Sequence, residues 1–313
     1  MEPAGRRDAR AREAAALSTV ADAAARADEE IFLGHRPMLL ALAYRLLGSV
    51  HEAEDVVQDA YLRWSAANRA EVANPAAFLT AVTTRLAVDR LRSATARREF
   101  YVGSWLPEPL PTAGPDDPAE SAALRESASV GMLLLLDRLG PAERAVFVLR
   151  EAFDVPYAEI AAILGRSEAS CRQLLSRARR RTVTAPAHVS ALDAAAARPL
   201  VDAFLAAARS GDLGRLESLL REDVTLTTDG NGTARAGRHP VHGAEKVGRL
   251  VTKVFERFDP RTEVRHAWYN HAPALVIDTP VRRVVYLFQY DAEGRIGQLF
   301  AILTPEKLSH LPR

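Results

Sequence analysis

The stretch Tyr157–Arg181, YAEIAAILGRSEASCRQLLSRARRR, leaves this chain few choices of fold. It reads as two short helices around a tight turn. In the first, Ile160, Ile163 and Leu164 share one face, and Gly165 can end the helix because glycine reaches the left-handed conformation at little cost. Ser167 is placed to N-cap the second helix. There Cys171, Leu174, Leu175 and Ala178 recur at i, i+3, i+4 and i+7 and face a core, while Arg172, Gln173, Ser176, Arg177 and Arg180 point outward. From Arg166 to Arg181 six arginines stand against one acid, Glu168. A helix pair whose second member is basic and polar on its outer side is the helix-turn-helix design, with that member in the major groove of DNA. A helical hairpin with a solvated basic face has the same pattern, so a second signal is needed to separate the two.

The net charge of +1 gives no such signal, so a nucleic-acid reading rests on local arginine clusters. The single cysteine, Cys171, excludes an internal disulfide framework and a cysteine-based zinc site. No apolar run is long enough to span a bilayer, and residues 1–30 lack the apolar core of a signal peptide. They read as a flexible, weakly helical tail, and the expected compartment is the cytoplasm.

The second signal lies upstream. Leu33–Leu47 is leucine-rich and stops at Gly48, and Ser49-Val50-His51-Glu52 fits a capping box that starts a new helix. In that helix Ala53, Val56, Val57, Ala60, Tyr61 and Trp64 form a core stripe, leaving Glu54, Asp55, Gln58 and Asp59 outside it. Those four are either a solvated acidic face or a docking surface for a partner protein. Asn74-Pro75 opens a further helix to about Ala94. Its apolar side carries Phe78 and Leu79, and its distal end is basic through Arg85, Arg92, Arg97 and Arg98. A basic helix end beside Phe78, Thr83 and Thr84 suits single-stranded DNA, which binds through backbone charge and stacking.

Residues 53–64, AEDVVQDAYLRW, resemble the polymerase-binding helix of sigma factor region 2, and residues 77–92, AFLTAVTTRLAVDRLR, resemble the promoter-melting helix. Residues 139–181 look like sigma region 4. With no room for other sigma regions, the chain is similar to the extracytoplasmic-function sigma factors. The resemblance implies that Glu54, Asp55, Gln58 and Asp59 meet core RNA polymerase. It also implies that Phe78, Thr84, Arg85, Arg92, Arg97 and Arg98 handle the melted downstream element. Arg166, Ser167, Glu168, Ser170, Arg172, Gln173, Arg177 and Arg180 would handle the upstream duplex. Many members of the class have asparagine where Arg85 stands, so the base contact assigned to that asparagine is not carried over to Arg85.

Five prolines between Pro107 and Pro118 make residues 100–125 an extended tether, yet Tyr101, Trp105 and Leu106 are too apolar for a solvated one. The run Trp105-Leu106-Pro107-Glu108-Pro109 resembles a signature of a sigma subgroup with a fused SnoaL-like domain. After Arg181 the composition changes. Helices at Leu192–Ala208 and Leu213–Leu220 precede a strand at Glu222–Thr228, a helix at His242–Phe255, and strands at Thr262–Tyr269, Ala274–Asp278, Arg283–Tyr290 and Ile296–Leu303. VVYLFQY is expected to be half-buried, and the run of strands to be antiparallel, in an α+β domain. The order resembles the SnoaL-like (NTF2-like) cone. Asp229-Gly230-Asn231-Gly232 and Thr304-Pro305-Glu306-Lys307-Leu308 stand where that subgroup has its other two motifs.

The chain thus divides into a tail at 1–30, region 2 at 31–99, a linker at 100–125, region 4 at 126–182, a short link at 183–191 and an α+β domain at 192–313. The expected fold is multidomain, with two all-α domains followed by a SnoaL-like cone. The expected function is promoter-directed initiation with core RNA polymerase, with the third domain regulating it. The regulatory contact would join Trp105, Leu106, Pro107, Glu108 and Pro109 to Asp229, Gly230 and Gly232. No catalytic residue, metal ligand or cofactor is expected. Two alternatives stay open: an enzymatic third domain using Asp229, His239, His242, His266, His271 or Asp278 as acid and base, with a small ligand in its pocket, or a helix-turn-helix regulator that is not a sigma factor.

Overall fold

The structure is a computed structural model that describes residues 4–98, 101–112, 122–182, 194–232 and 236–312. The first helical part, which holds the segment resembling region 2 and is called region 2 below, comprises α1 (Ala4–Leu47), α2 (Val50–Ala66) and α3 (Pro75–Arg98). The segment expected to be a flexible tail is helical from Ala4 and continuous with the rest of α1, with Pro37 inside it. Gly48 turns the chain at φ +71, and Ser49 caps α2 by accepting the Glu52 N–H at 3.1 Å. Asn74 caps α3 through the Ala77 N–H, and α3 runs one turn beyond the expected Ala94.

The second helical part, which holds the segment resembling region 4 and is called region 4 below, comprises α4 (Ala122–Ala128), α5 (Val130–Asp137), α6 (Pro141–Phe147), α7 (Tyr157–Leu164) and α8 (Glu168–Thr182). A π-helical segment, Val148–Ala152, follows α6 directly. The tether expected to end at 125 gives way to α4 at Ala122. Gly165 adopts φ +61 at the end of α7, and Ser167 accepts the Ser170 N–H, so the turn forms as its residues dictate.

Regions 2 and 4 share one apolar core, in which Leu42, Leu46, Val57 and Leu91 meet Leu133, Leu136, Ile160 and Leu175. Two buried arginines cross it. Arg45 donates to Ser127 Oγ at 2.7 Å and to Leu124 O at 2.6 Å, and Arg144 donates twice to Arg45 O. Buried guanidinium groups need such acceptors, and here the acceptors belong to the neighbouring region.

The third domain comprises α9 (Ala194–Ser210), α10 (Leu213–Leu219), β1 (Leu220–Asp229), β2 (Val241–His242), α11 (Ala244–Phe255), β3 (Glu263–Tyr269), β4 (Ala272–Asp278), β5 (Arg283–Tyr290) and β6 (Ile296–Ile302). The sheet order is β2-β1-β6-β5-β4-β3. The run β3-β4-β5-β6 is antiparallel as expected, and β1 joins it by pairing parallel with β6. One sheet face packs Leu275, Tyr286, Phe288 and Leu299 against Phe204, Val251 and Phe255 of the helices.

The other face is covered as well. Val276, Val285, Leu287, Phe300 and Ile302 pack with Leu106 of the linker, Val130 of α5, and Leu308 and Leu311. Both sides of β5 are therefore buried, and VVYLFQY is not the half-buried strand expected from its sequence. A near-continuous apolar run is what a strand covered on both faces requires.

Candidate functional site: two nucleic-acid helices and a linker clamp

Glu54, Asp55, Gln58 and Asp59 lie exposed on α2 opposite its buried stripe. Asp55 pairs with Arg90 of α3 at 3.2 Å. Glu54 and Gln58 border an open groove with Phe32, Leu33 and Tyr61. Leu33 and Leu62 are exposed by more than half, so the acidic face has apolar neighbours.

On α3, Phe78 is half-buried against Trp64, and Arg92 pairs with Asp89. Thr84 is fully buried with no partner for its hydroxyl, which removes it from any contact with DNA in this arrangement. Arg85 donates to Ile163 O at 2.9 Å and to Ala162 O at 3.1 Å. Those carbonyls belong to the last turn of α7, where acceptors lack helical partners and a cation is favoured. The side chains of Arg97 and Arg98 lie outside the described residues.

The outward face of α8 forms as its spacing requires. Arg172, Gln173, Arg177 and Arg180 are exposed, and Cys171, Leu175 and Ala178 are buried. Arg166 and Ser167 are exposed at the turn, and Ser170 is half-buried. Glu168 pairs with Arg172 at 2.6 Å, and the Arg172 guanidinium lies 4.9 Å from the Tyr157 ring centroid.

The linker is a docked strap. Leu106 is fully buried and donates its N–H to Asp229 Oδ2 at 2.8 Å. Asp229 is itself fully buried at the end of β1. It also accepts from Tyr101 Oη at 2.5 Å, Thr304 Oγ1 at 2.8 Å and Lys307 Nζ at 2.7 Å. Burial, then the Asp229 carboxylate, holds the Tyr101 phenol well above its ordinary pKa, so it stays a donor. Lys307 donates to Leu106 O and lies 4.6 Å from the Trp105 ring centroid. Gly230 is buried beside Asp229, and Gly232 is exposed next to Val102.

At its other end the strap grips region 2. Glu108 Oε2 accepts the Val50 N–H at 2.7 Å and the His51 N–H at 3.2 Å, and Oε1 accepts from Ser49 Oγ at 2.8 Å. A carboxylate from the linker thus sits on the positive N-terminus of α2. A Cβ at Gly48 would lie 2.7 Å from Cη2 of Trp105, so the ring needs glycine there. Pro107 and Pro109 are buried, and residues near Pro111 pair with the end of β3, adding to the sheet edge.

Asn270 was not among the expected site residues. It occupies the left-handed region with His271, giving the two-residue β3–β4 hairpin. Its side chain accepts the Leu110 N–H at 3.0 Å and donates to Tyr44 Oη and to Ala128 O. One buried amide thereby joins the linker and both helical regions to the third domain. The only sequence sign is an Asn-His pair between two strand-forming runs.

The acid/base candidates do not gather. Asp229 is enclosed by the linker, and Asp278 pairs with Arg283 and Arg265. His266 pairs with Asp202, His242 meets Thr225, and His239 is exposed.

Two helical modules with these faces, joined by a docked linker, define a sigma factor of the extracytoplasmic-function class. The family description "Sigma-70 region 2" matches residues 31–97, and "Sigma-70, region 4" matches residues 130–182. The chain is 44% identical over 227 residues to the ECF RNA polymerase sigma factor SigJ of Mycobacterium tuberculosis, covering 72% of each chain. It is 36% identical to the probable ECF sigma factor SigI of the same species, over 70% of this chain and 74% of SigI. The crystal structure of M. tuberculosis SigJ superposes with a TM-score of 0.69 at 34% identity, over 90% of this chain and 98% of that one.

The chain belongs to the ECF RNA polymerase sigma factors: it binds RNA polymerase and directs promoter recognition and transcription initiation. Among the described residues no helix is long and apolar enough to cross a membrane.

Proposed function

We propose that the third domain regulates this sigma factor by holding the linker, and through it the spacing of regions 2 and 4. The contact of Asp229 with the Leu106 amide carries this reading. In the clamped arrangement, Glu54, Asp55, Gln58 and Asp59 offer a docking face to core polymerase, and the outer face of α8 is open to the duplex upstream element. Arg85, by contrast, is occupied by α7, so the melting helix becomes available only when regions 2 and 4 part. A ligand or polymerase surface that binds the parted state better shifts the balance toward it. The dispersal of Asp278, His266 and His242 into separate pairs supports a regulatory third domain over an enzymatic one.

The test is promoter-specific transcription in vitro with excess core polymerase, comparing the intact chain with Trp105→Ala, Asp229→Ala and a chain ending near Ala195. Output that differs from the intact protein in the two point variants and the truncation supports the clamp. Equal output from all four removes it, and loss of turnover of a small molecule in Asp229→Ala would install the enzymatic reading instead.

A further inference from the structure

We infer that His51, Glu108 and His310 form a binding site for a divalent transition metal of the zinc type, at the seam between region 2, the linker and the third domain. One donor atom from each of the three lies within 4.8 Å of the other two. The three come from the first turn of α2, the middle of the strap and the segment after Leu308, so only the docked fold assembles them.

The hydrogen bonds fix the ligand atoms. The Nε2 of His310 is 2.8 Å from Pro109 O, and a carbonyl only accepts, so that nitrogen carries its proton. The lone pair then sits on Nδ1, which is buried and has no hydrogen-bond partner. The Nε2 of His51 lies 3.2 Å from Ser309 Oγ, whose own proton goes to Glu306 O at 2.8 Å. Ser309 therefore accepts from His51 Nε2–H. That leaves His51 Nδ1 facing Glu108 Oε2 at 2.9 Å.

A metal ion bound between them would take the Nδ1 lone pair and a carboxylate oxygen, with any proton held there released to solvent. In metal centres a ligating histidine donates its second ring nitrogen to an oxygen, and both imidazoles here already do so. Glu108 is held in turn by the Val50 and His51 amides and the Ser49 hydroxyl. Two imidazoles and one carboxylate suit zinc and its neighbours better than magnesium or calcium. A tetrahedral ion with bonds of about 2.1 Å needs donors about 3.4 Å apart, the same scale as the spacing of these three side chains. His51 has a side chain 46% exposed, which gives the ion an entry path and leaves a fourth position to water. The bound ion would tie the third domain to region 2 independently of Asp229.

The experiment uses the untagged full chain, stripped with a chelator and titrated with Co²⁺ as a spectroscopic probe. The expected result is one equivalent of cobalt with the visible absorption of a four- or five-coordinate site, displaced by Zn²⁺. His51→Ala and His310→Gln should each weaken binding by at least about tenfold. His310→Gln keeps an N–H donor for the Pro109 carbonyl, so it separates loss of the ligand from loss of packing. Failure to bind cobalt stoichiometrically overturns the site, as does an unchanged spectrum and affinity in the His51→Ala/His310→Gln double variant.

Discussion

At the level of single residues, the Asp229–Lys307 pair dominates. Asp229 is fully buried and Lys307 nearly so, and each neutralises the other inside the sheet's covered face. Removing one partner of a buried pair leaves an uncompensated charge, and costs about 3–5 kcal/mol. Asp229→Ala should lose that much in chemical denaturation, and Asp229→Ala/Lys307→Met should recover part of it. A double variant no more stable than Asp229→Ala would show that the pair is not the cause. Asp229 was legible in the sequence because it opens a Gly-rich turn beside a strand. Asn270 was not, because its three partners lie in three separate stretches of chain that no local pattern connects. Thr84 is not legible for a related reason: a polar residue on a basic helix reads as a surface residue, and its burial comes from packing that no local pattern shows.

Between elements, the closest question is why α3 carries an arginine at position 85. Its guanidinium closes the C-terminal end of α7, the first helix of the DNA-reading pair. Hydrogen bonds from a charged donor contribute more than neutral ones, so Arg85→Ala should destabilise the packing of α3 on α7 by roughly 1–3 kcal/mol. Amide hydrogen exchange reads this directly, as faster exchange confined to α7 and the adjoining turn. Unchanged protection there would mean that Arg85 is a surface cation and not a strut. The helices themselves were readable, since their caps and apolar stripes are local signals. The pairing of β1 with β6 and the double burial of β5 were not, because both depend on what the sheet packs against.

Across the whole molecule, the outer face of the third domain's sheet is a binding surface turned inward. Leu106 and Val130 complete it, and without the sheet they would face water. A chain ending near Ala195 should therefore leave residues 101–112 undocked. Burial of a side chain such as Leu106 contributes about 1.5–3 kcal/mol, which corresponds to cleavage by chymotrypsin near Tyr101 and Trp105 roughly tenfold to a hundredfold faster than in the intact chain. Equal rates would show that the helical regions hold the strap unaided. The division into helical and α+β parts was legible from composition and periodicity. Their mutual docking was signalled only by aromatic residues in a proline-rich stretch.

The clamp also has an order in time. The strap at residues 101–112 meets partners at Asp229, Asn270 and Lys307, all of which leave the ribosome after region 4 is complete. At translation speeds of about 5–20 residues per second, the two helical regions precede Lys307 by on the order of ten seconds. During that interval the nascent chain holds both helical regions, with Arg85 already able to reach α7, but none of the strap's contacts to the third domain. A polymerase close to the translating ribosome would meet this sigma factor before its own third domain does.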